Sequence, residues 1–313
     1  MSKIQWTEKT WNPITGCTKV SEGCAHCYAE GVANRFWGDR KFGDVQFHPD
    51  RLNQPLRRKK PTMYFVNSMS DLFHEAVTDE HLDQIFAVMA LTQHHTYQVL
   101  TKRPERMLEY FREKEFMSSS HLSGRGVWAS EMADFACENL RGFFWVKRGG
   151  EEPSSDHVYD PLMAATSAGH LPNCWLGVTC ENQRTADERI PLLLQTPAAV
   201  RFLSCEPLLE DIDLRLITGS DVEPKDFIHW VIVGGESGAK ARPCDIGWIR
   251  SIVEQCKEAE VPCFVKQLGS KPVTDLESGY PVPWHPSTGK GGNPEEWPED
   301  LRVREYPKTL QPT

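Results

Sequence analysis

The chain has 313 residues, 39% of them hydrophobic, and a formal net charge of -9. A chain of this size can bury a core without staples, and ten cysteines are too few for a disulfide scaffold. The acidic balance argues against a surface built throughout to coat nucleic acid, and the apolar runs are too short to cross a bilayer. Because the first residues lack the apolar segment of a secretion signal, we expect a cytoplasmic protein with reduced thiols.

Six segments share one pattern, in which a β-branched and aromatic apolar run ends in small polar residues and gives way to a helix-like stretch. In chain order they are MYFVNSMSD (63–71), YQVLTKR (97–103), WLGVTCEN (175–182), RFLSCEP (201–207), WVIVGGESG (230–238) and CFVKQLG (263–269). The segment before the first cysteine is predicted as one more strand. Strands that alternate with helices indicate parallel βαβ units. The sequence therefore predicts an α/β fold, a full or partial (β/α) barrel of about six parallel strands over residues 1–269.

Two regions break this alternation. Residues from about 114 to 173 mix glycine and serine with aromatic residues, and we interpret them as an insertion between two strands. Residues 270–313 are rich in proline and glycine, which predicts an extended C-terminal tail that packs on the barrel.

Polar residues at the carboxyl ends of the predicted strands are expected to face one common mouth, where barrel enzymes carry out their chemistry. The residues expected there are Asn67, Ser68, Asp71, Thr101, Lys102, Thr179, Glu181, Ser204, Glu206 and Glu236.

Cys17, Cys24 and Cys27 form a C-x6-C-x2-C pattern, for which three interpretations compete. A structural zinc site needs a fourth ligand; His26 is badly placed within the same tight loop, and His48 is conceivable. A redox dithiol of Cys24 and Cys27 leaves Cys17 unexplained. A [4Fe–4S] cluster held by three thiolates leaves one iron open to a small molecule.

Three cysteines on one loop after the first strand of a parallel barrel resemble the radical S-adenosylmethionine (SAM) superfamily. The six-residue first spacing, in place of the usual three, indicates an atypical branch. Further segments resemble a phage-associated family of largely uncharacterised radical SAM-like proteins, over most of the chain outside the insertion. They are WNPITGCTKVSEGCAHCYAE, FVNSMSDLFHE, LTKRPERM, WLGVTCENQ, RFLSCEPLL, VIVGGESG, FVKQLG and WPEDLRVREYP.

The resemblance implies an enzyme that binds a [4Fe–4S] cluster through Cys17, Cys24 and Cys27 and cleaves SAM to a 5′-deoxyadenosyl radical. The implied partner is an external electron donor of the flavodoxin or ferredoxin type. The superfamily holds the methionine amino group after the second strand, which here points by position to Asn67, Ser68 and Asp71. The usual Gly-Gly-Glu motif is absent at that place.

Other strand-end residues are candidates for the cofactor or the chemistry. Gly234 and Gly235 would allow close backbone approach to a ligand, although a plain tight turn explains them too. Lys102 and Arg103 could meet the methionine carboxylate or a substrate phosphate, or form ion pairs with strand-end carboxylates. Cys180 and Cys205 could donate a hydrogen atom near a radical. Candidates for the ribose, the methionine or the substrate are Thr179, Glu181, Ser204, Glu206 and Glu236.

A nucleic-acid base or a nucleotide is the expected substrate, in phage-type DNA modification or repair. The basic stretch RLNQPLRRKKP (51–61) favours a phosphate partner, and aromatic residues could stack on a base. Those aromatic residues are Trp37, Trp128, Phe143, Phe144 and Trp145. The competing hypothesis is a zinc-stabilised barrel that holds a nucleotide or protein partner without catalysis.

Overall fold

The computed structural model describes residues 4–120, 170–214 and 228–307, except 276–278, 280–281, 286 and 288. The strands are β1 (Lys9–Trp11), β2 (Ile14–Thr15), β3 (Gln46–Phe47), β4 (Met63–Val66), β5 (Thr96–Thr101), β6 (Cys174–Thr179), β7 (Val200–Cys205), β8 (Trp230–Gly234), β9 (Cys244–Asp245), β10 (Cys263–Gln267), β11 (Pro272–Thr274) and β12 (Val282–Pro283). The helices are α1 (Tyr28–Phe36), α2 (Asn53–Leu56), α3 (Asp79–Ala90), α4 (Pro104–Ser120), α5 (Gln183–Gln195) and α6 (Ile246–Glu258).

Seven parallel strands form the central sheet, in the order β1-β4-β5-β6-β7-β8-β10. The sheet curls into a half-barrel that is flanked by helices, so the predicted partial barrel is confirmed. Its seven strands are the six predicted segments and the strand predicted before the cysteines, which is β1 and pairs with β4. In the part of the chain that the structure describes, β1 and β10 each pair with one neighbour and form the two edges of the sheet.

Alternate residues of the strands face two separate cores, as the period of two in a β-strand requires. The larger core packs one face of the sheet against the helices. The smaller core fills the concave face with aromatic side chains from the strands and from the N-terminal segment. Since this concave face is packed, the strand ends and loops above it are left to form the site. The aromatic side chains are Trp6, Phe65, Trp175, Phe202, Trp230 and Phe264.

The C-terminal residues return to the sheet after β10. β11 pairs in parallel with β9 and antiparallel with β12, forming a small second sheet. Further on, Arg304 forms a β-bridge to Phe264, and the Trp230 indole donates a hydrogen bond of 2.9 Å to the carbonyl of Glu305. Trp297 and Leu301 are buried in the larger core. These contacts join the tail to the last strands of the half-barrel.

Helix α4 continues to Ser120, beyond residue 114, where the predicted insertion begins. Most of that insertion lies outside the described residues. Among the described helices, none is both long enough and apolar enough to span a membrane.

Candidate functional site

The site is built around the segment between β2 and α1, residues 16–27, called here the cysteine loop. Its first residue is held at the sheet edge, because the Gly16 N–H donates to the carbonyl of Met69 at 3.0 Å. Gly16 has a φ of +98°, and a Cβ there would lie 2.6 Å from the carbonyl oxygen of Asp44. Only glycine therefore fits this turn without moving the backbone.

The three cysteines of the loop differ from the other cysteines that the structure describes. Cys17, Cys24 and Cys27 are partly exposed, whereas the other six described cysteines are buried. Arg103 Nη1 lies 3.6 Å from Cys17 Sγ. Burial, reinforced by Asp71 and opposed by Arg103, raises the pKa of Cys17 to about 11, so this thiol is protonated at neutral pH in the present conformation.

The described side chains around the cysteine loop do not form a preassembled metal site. Within the described ranges, no group of three or more His, Cys, Asp or Glu side chains is arranged to bind a metal ion. His26 Nδ1 lies 3.1 Å from Glu236 Oε2, and His48 Nε2 lies 2.7 Å from Thr15 Oγ1, so both histidines considered for zinc already have partners. Three partly exposed thiols on one loop match the donor set of a cluster with three protein ligands.

Three sets of contacts, called clamps here, attach the cysteine loop to the strand ends. The first is Glu181, which attaches the middle of the loop to the end of β6. Its fully buried carboxylate accepts a 2.7 Å hydrogen bond from Ser21 Oγ and forms ion pairs with Lys102 at 3.0 Å and Arg189 at 2.9 Å. Burial would raise the pKa of this carboxyl, but the two cations more than offset it, and the pKa lies below its usual value. A Cβ at Gly23 would overlap the Glu181 carboxylate, so the loop backbone lies directly against it.

Glu236 clamps the next part of the loop to the end of β8. Besides its contact with His26, the Glu236 carboxylate accepts a 2.8 Å hydrogen bond from the Arg242 backbone N–H. It also forms an ion pair with Arg242 Nη2 at 2.7 Å. Arg242 Nη1 also donates to the carbonyl of Glu22 at 3.0 Å. Although burial opposes ionisation, the hydrogen bonds from Arg242 and His26 lower the pKa of Glu236 to about 2.

Asp71 and Arg103 hold the beginning of the loop. Asp71 accepts hydrogen bonds from Thr101 Oγ1 at 2.7 Å and the Lys102 N–H at 2.9 Å, and Arg103 Nη1 lies 3.3 Å from its second oxygen. Arg103 Nη2 in turn donates to the hydroxyl of Thr18 at 2.8 Å and to its carbonyl at 3.1 Å. The guanidinium thus bridges two strand ends to the residue next to Cys17.

Asn67 and Ser68 follow β4 beside the start of the loop. Asn67 is buried in the left-handed backbone region, with a φ of 59°, and its Oδ1 accepts a hydrogen bond from the Ile14 N–H at 3.2 Å. Its Nδ2 has no hydrogen-bond partner among the described residues. A buried donor without a partner costs about 1–3 kcal/mol, which an acceptor atom of a bound ligand would relieve. Ser68 is partly exposed, and its carbonyl accepts from the Tyr28 hydroxyl at 2.5 Å.

Several other predicted cofactor residues take part in packing. A Cβ at Gly234 would lie 2.9 Å from the carbonyl oxygen of Gln267. A Cβ at Gly235 would overlap the carbonyl oxygen of Leu268. The glycine pair thus allows β8 and β10 to pack closely. Glu206 forms an ion pair with Lys266 at 2.7 Å. Thr179 and Ser204 are buried at the ends of β6 and β7.

Cys180 and Cys205, predicted as hydrogen-atom donors at the mouth, belong instead to the larger core between sheet and helices. Both are fully buried. Burial raises the pKa of the Cys180 thiol to about 12 and that of Cys205 well above its usual value. They follow Thr179 and Ser204, so the alternation of strand faces already directs them to the opposite side of the sheet.

The structure therefore brings most of the predicted acidic residues to the cysteine loop as clamps. Lys102, predicted as catalytic, contributes to the Glu181 clamp. Four residues that complete the clamps were not predictable from the sequence, because no local pattern marks their partners. These residues are Ser21, Gly23, Arg189 and Arg242.

Trp37, which was expected to stack on a base, lies under the Arg40 guanidinium at 4.1 Å and beside Phe42. The other four predicted stacking residues, Trp128, Phe143, Phe144 and Trp145, lie outside the described residues.

Fold and site together define a parallel α/β half-barrel that carries a three-cysteine loop clamped across its strand ends. The chain belongs to the DUF5131 family, described as proteins of unknown function, whose model matches residues 1–288. Neither the curated proteins nor the solved structures contain a match to this chain.

Proposed function

We propose that the protein is a radical SAM enzyme that binds a [4Fe–4S] cluster through Cys17, Cys24 and Cys27 and acts on a nucleic-acid base or a nucleotide. The observation that carries the proposal is the contrast among the cysteines. Three partly exposed thiols share one loop above the strand ends, while the other described cysteines are buried. A loop with three accessible thiols suits a cluster that keeps one iron free for a small molecule.

The clamps support this proposal because they fix the loop at three points while leaving its thiols accessible. Glu181, Glu236 and the Asp71–Arg103 pair hold Ser21, His26 and Thr18, which are near neighbours of the three cysteines. A site that must position a reactive group requires rigid support of this kind.

When bound, the cluster and SAM would supply the electron and the radical chemistry. The role of the chain's own residues would be to bind and orient the cluster and SAM. The Asn67 amide, which has no partner for Nδ2 among the described residues, can donate to an oxygen of the methionine moiety. The hydroxyl of partly exposed Ser68 donates to Asn12 Oδ1 at 3.2 Å and can accept a hydrogen bond from the methionine amino group. Lys102 Nζ neutralises Glu181 behind the loop and so has a positioning role. An external flavodoxin- or ferredoxin-type protein is the proposed electron donor.

Anaerobic reconstitution with iron and sulfide tests the proposal. We expect brown protein with about four irons per chain. After reduction and addition of SAM, we expect 5′-deoxyadenosine in the product mixture, detected by mass spectrometry.

Cys24→Ala is the test variant, and Cys256→Ala, which removes a buried thiol on α6, is the control. Only Cys24→Ala should lose iron and product formation, with both variants checked for folding by circular dichroism. Protein that binds one zinc instead of iron would overturn the proposal in favour of the non-catalytic barrel. An intact cluster that never yields 5′-deoxyadenosine would overturn the enzymatic part alone.

A further inference from the structure

A basic groove lies beside the amino-terminal part of β1 and β4, at the opposite end of these strands from the cysteine loop. Its volume is about 620 Å³. Five cationic side chains line it, together with the ring of Tyr64. The cations are Lys9, Arg57, Arg58, Lys59 and Lys60.

The local structure explains why these cations face solvent. Pro55 and Leu56, at the end of α2, are buried and anchor the segment, and Met63 begins β4. The four consecutive basic residues 57–60 lie in the short link between α2 and β4. Arg57, Lys59 and Lys60 are exposed, while Arg58 is partly buried and its Nε donates to Thr62 Oγ1 at 2.5 Å.

The charge of the groove is not neutralised from within. None of the ion pairs among the described residues involves any of its five cations. The neighbouring acid, Glu8, accepts a 2.8 Å hydrogen bond from the Met63 N–H. At the strand ends, by contrast, Lys102, Arg103 and Arg242 each face a carboxylate. Concentrated positive charge on a chain of net charge -9 suits an external anion.

We propose that this groove binds the phosphodiester backbone of a nucleic-acid strand. A row of cations matches a row of phosphates, and the neutral side chains of Thr10 and Gln54 in the lining can add hydrogen bonds to phosphate oxygens. A membrane surface fits less well, because a helix or loop that binds lipid also inserts apolar side chains. The exposed large hydrophobic residues of the described chain all lie elsewhere; they are Val20, Tyr28, Val32, Phe36, Val282, Trp284 and Tyr306.

Binding in this groove is independent of any chemistry at the cysteine loop, so it is measured on protein without added cofactor. The probe is a fluorescently labelled single-stranded DNA of mixed sequence, titrated by anisotropy over a series of salt concentrations. The test variant is Lys59→Gln/Lys60→Gln. The control, Lys257→Gln/Lys271→Gln, removes the same charge from exposed positions outside the groove.

We expect the affinity to fall with rising salt, and the groove variant to bind about tenfold more weakly at the lowest salt. The slope of log affinity against log salt should decrease by about 0.7 for each lost contact. The control should match the wild type, and both variants should melt as the wild type does. The proposal is overturned if the protein does not bind the DNA at low salt, or if both variants lose the same amount of DNA affinity. It is also overturned if pyrophosphate displaces the labelled DNA as effectively, per unit charge, as unlabelled DNA does. Binding to anionic vesicles without binding to DNA would overturn it as well.

Discussion

The acidic side chains at the strand ends act through the cysteine loop. Glu181 and Glu236 are buried, and each is ionised because cations and hydrogen-bond donors surround it. Buried carboxylates are costly to keep charged unless every lone pair is used. Because their partners include Ser21 and His26 of the loop, moving the loop would remove hydrogen bonds that keep these buried charges satisfied.

The pH dependence of stability tests the Glu236 clamp. Its pKa is about 2 in the folded protein and 4.5 ordinarily, so its contribution to stability is present above pH 4.5 and is lost as the pH falls towards 2. We expect Glu236→Gln to lower the free energy of unfolding at pH 7 by about 1–2 kcal/mol, less than the full pKa difference would give, because solvent screens the pair with partly exposed Arg242. Urea unfolding between pH 7 and 3.5 should show the gap between variant and wild type closing below pH 4.5.

The matched control is Glu188→Gln on α5, which removes an exposed pair with Arg184. Its effect should stay below about 0.5 kcal/mol. A gap for Glu236→Gln that does not change with pH would show that the loss comes from packing alone and that the carboxylate charge is not stabilising.

At the scale of elements, the cysteine loop depends on a close approach of backbone to carboxylate. Gly23 lies against Glu181, whose position is fixed by Lys102 and Arg189. Since the carboxylate cannot retreat, a side chain at residue 23 must push the loop away. The geometry of the three thiols therefore depends on a residue that is not itself a ligand.

Gly23→Ala tests this dependence, with Gly31→Ala as the control. We expect Gly23→Ala to destabilise the protein by about 2 kcal/mol through overpacking and to lower the iron bound after reconstitution. A Cβ at Gly31, in α1, meets nothing within 4 Å, so Gly31→Ala should raise stability by about 0.5–1 kcal/mol. Thermal melts and iron analysis of both variants measure this. Wild-type iron content in Gly23→Ala would contradict the idea.

The elements themselves could be predicted from the sequence to different degrees. Buried parallel strands form apolar runs that end in polar residues, which identified β4 to β8 and β10. The two-residue strands β2, β3, β9 and β12 are too short to show a period. The clamps were not predictable for another reason: Ser21 and Glu181 are 160 residues apart, and only the folded sheet brings them together.

At the scale of the whole molecule, the tail completes the half-barrel. The sheet is open, and its inner aromatic core needs cover beside β8 and β10. Tyr306 stacks on Trp230 with ring centroids 5.4 Å apart, and the Arg304 guanidinium lies 5.3 Å from the centre of the Phe264 ring. The tail therefore supplies part of the enclosure that further strands would supply in a closed barrel.

Replacing Trp297 tests whether the tail folds as one unit with the half-barrel. Trp297 is 2% exposed, and its indole donates a 2.9 Å hydrogen bond to the carbonyl of Gly291. We expect Trp297→Ala to lower the free energy of unfolding by about 3–5 kcal/mol, as for other buried large residues. Trp284→Ala is the control, because Trp284 is 36% exposed and should cost less than about 1 kcal/mol. Urea unfolding followed by circular dichroism measures both variants. If Trp297→Ala costs no more than Trp284→Ala, the tail unfolds separately and the half-barrel is stable without it.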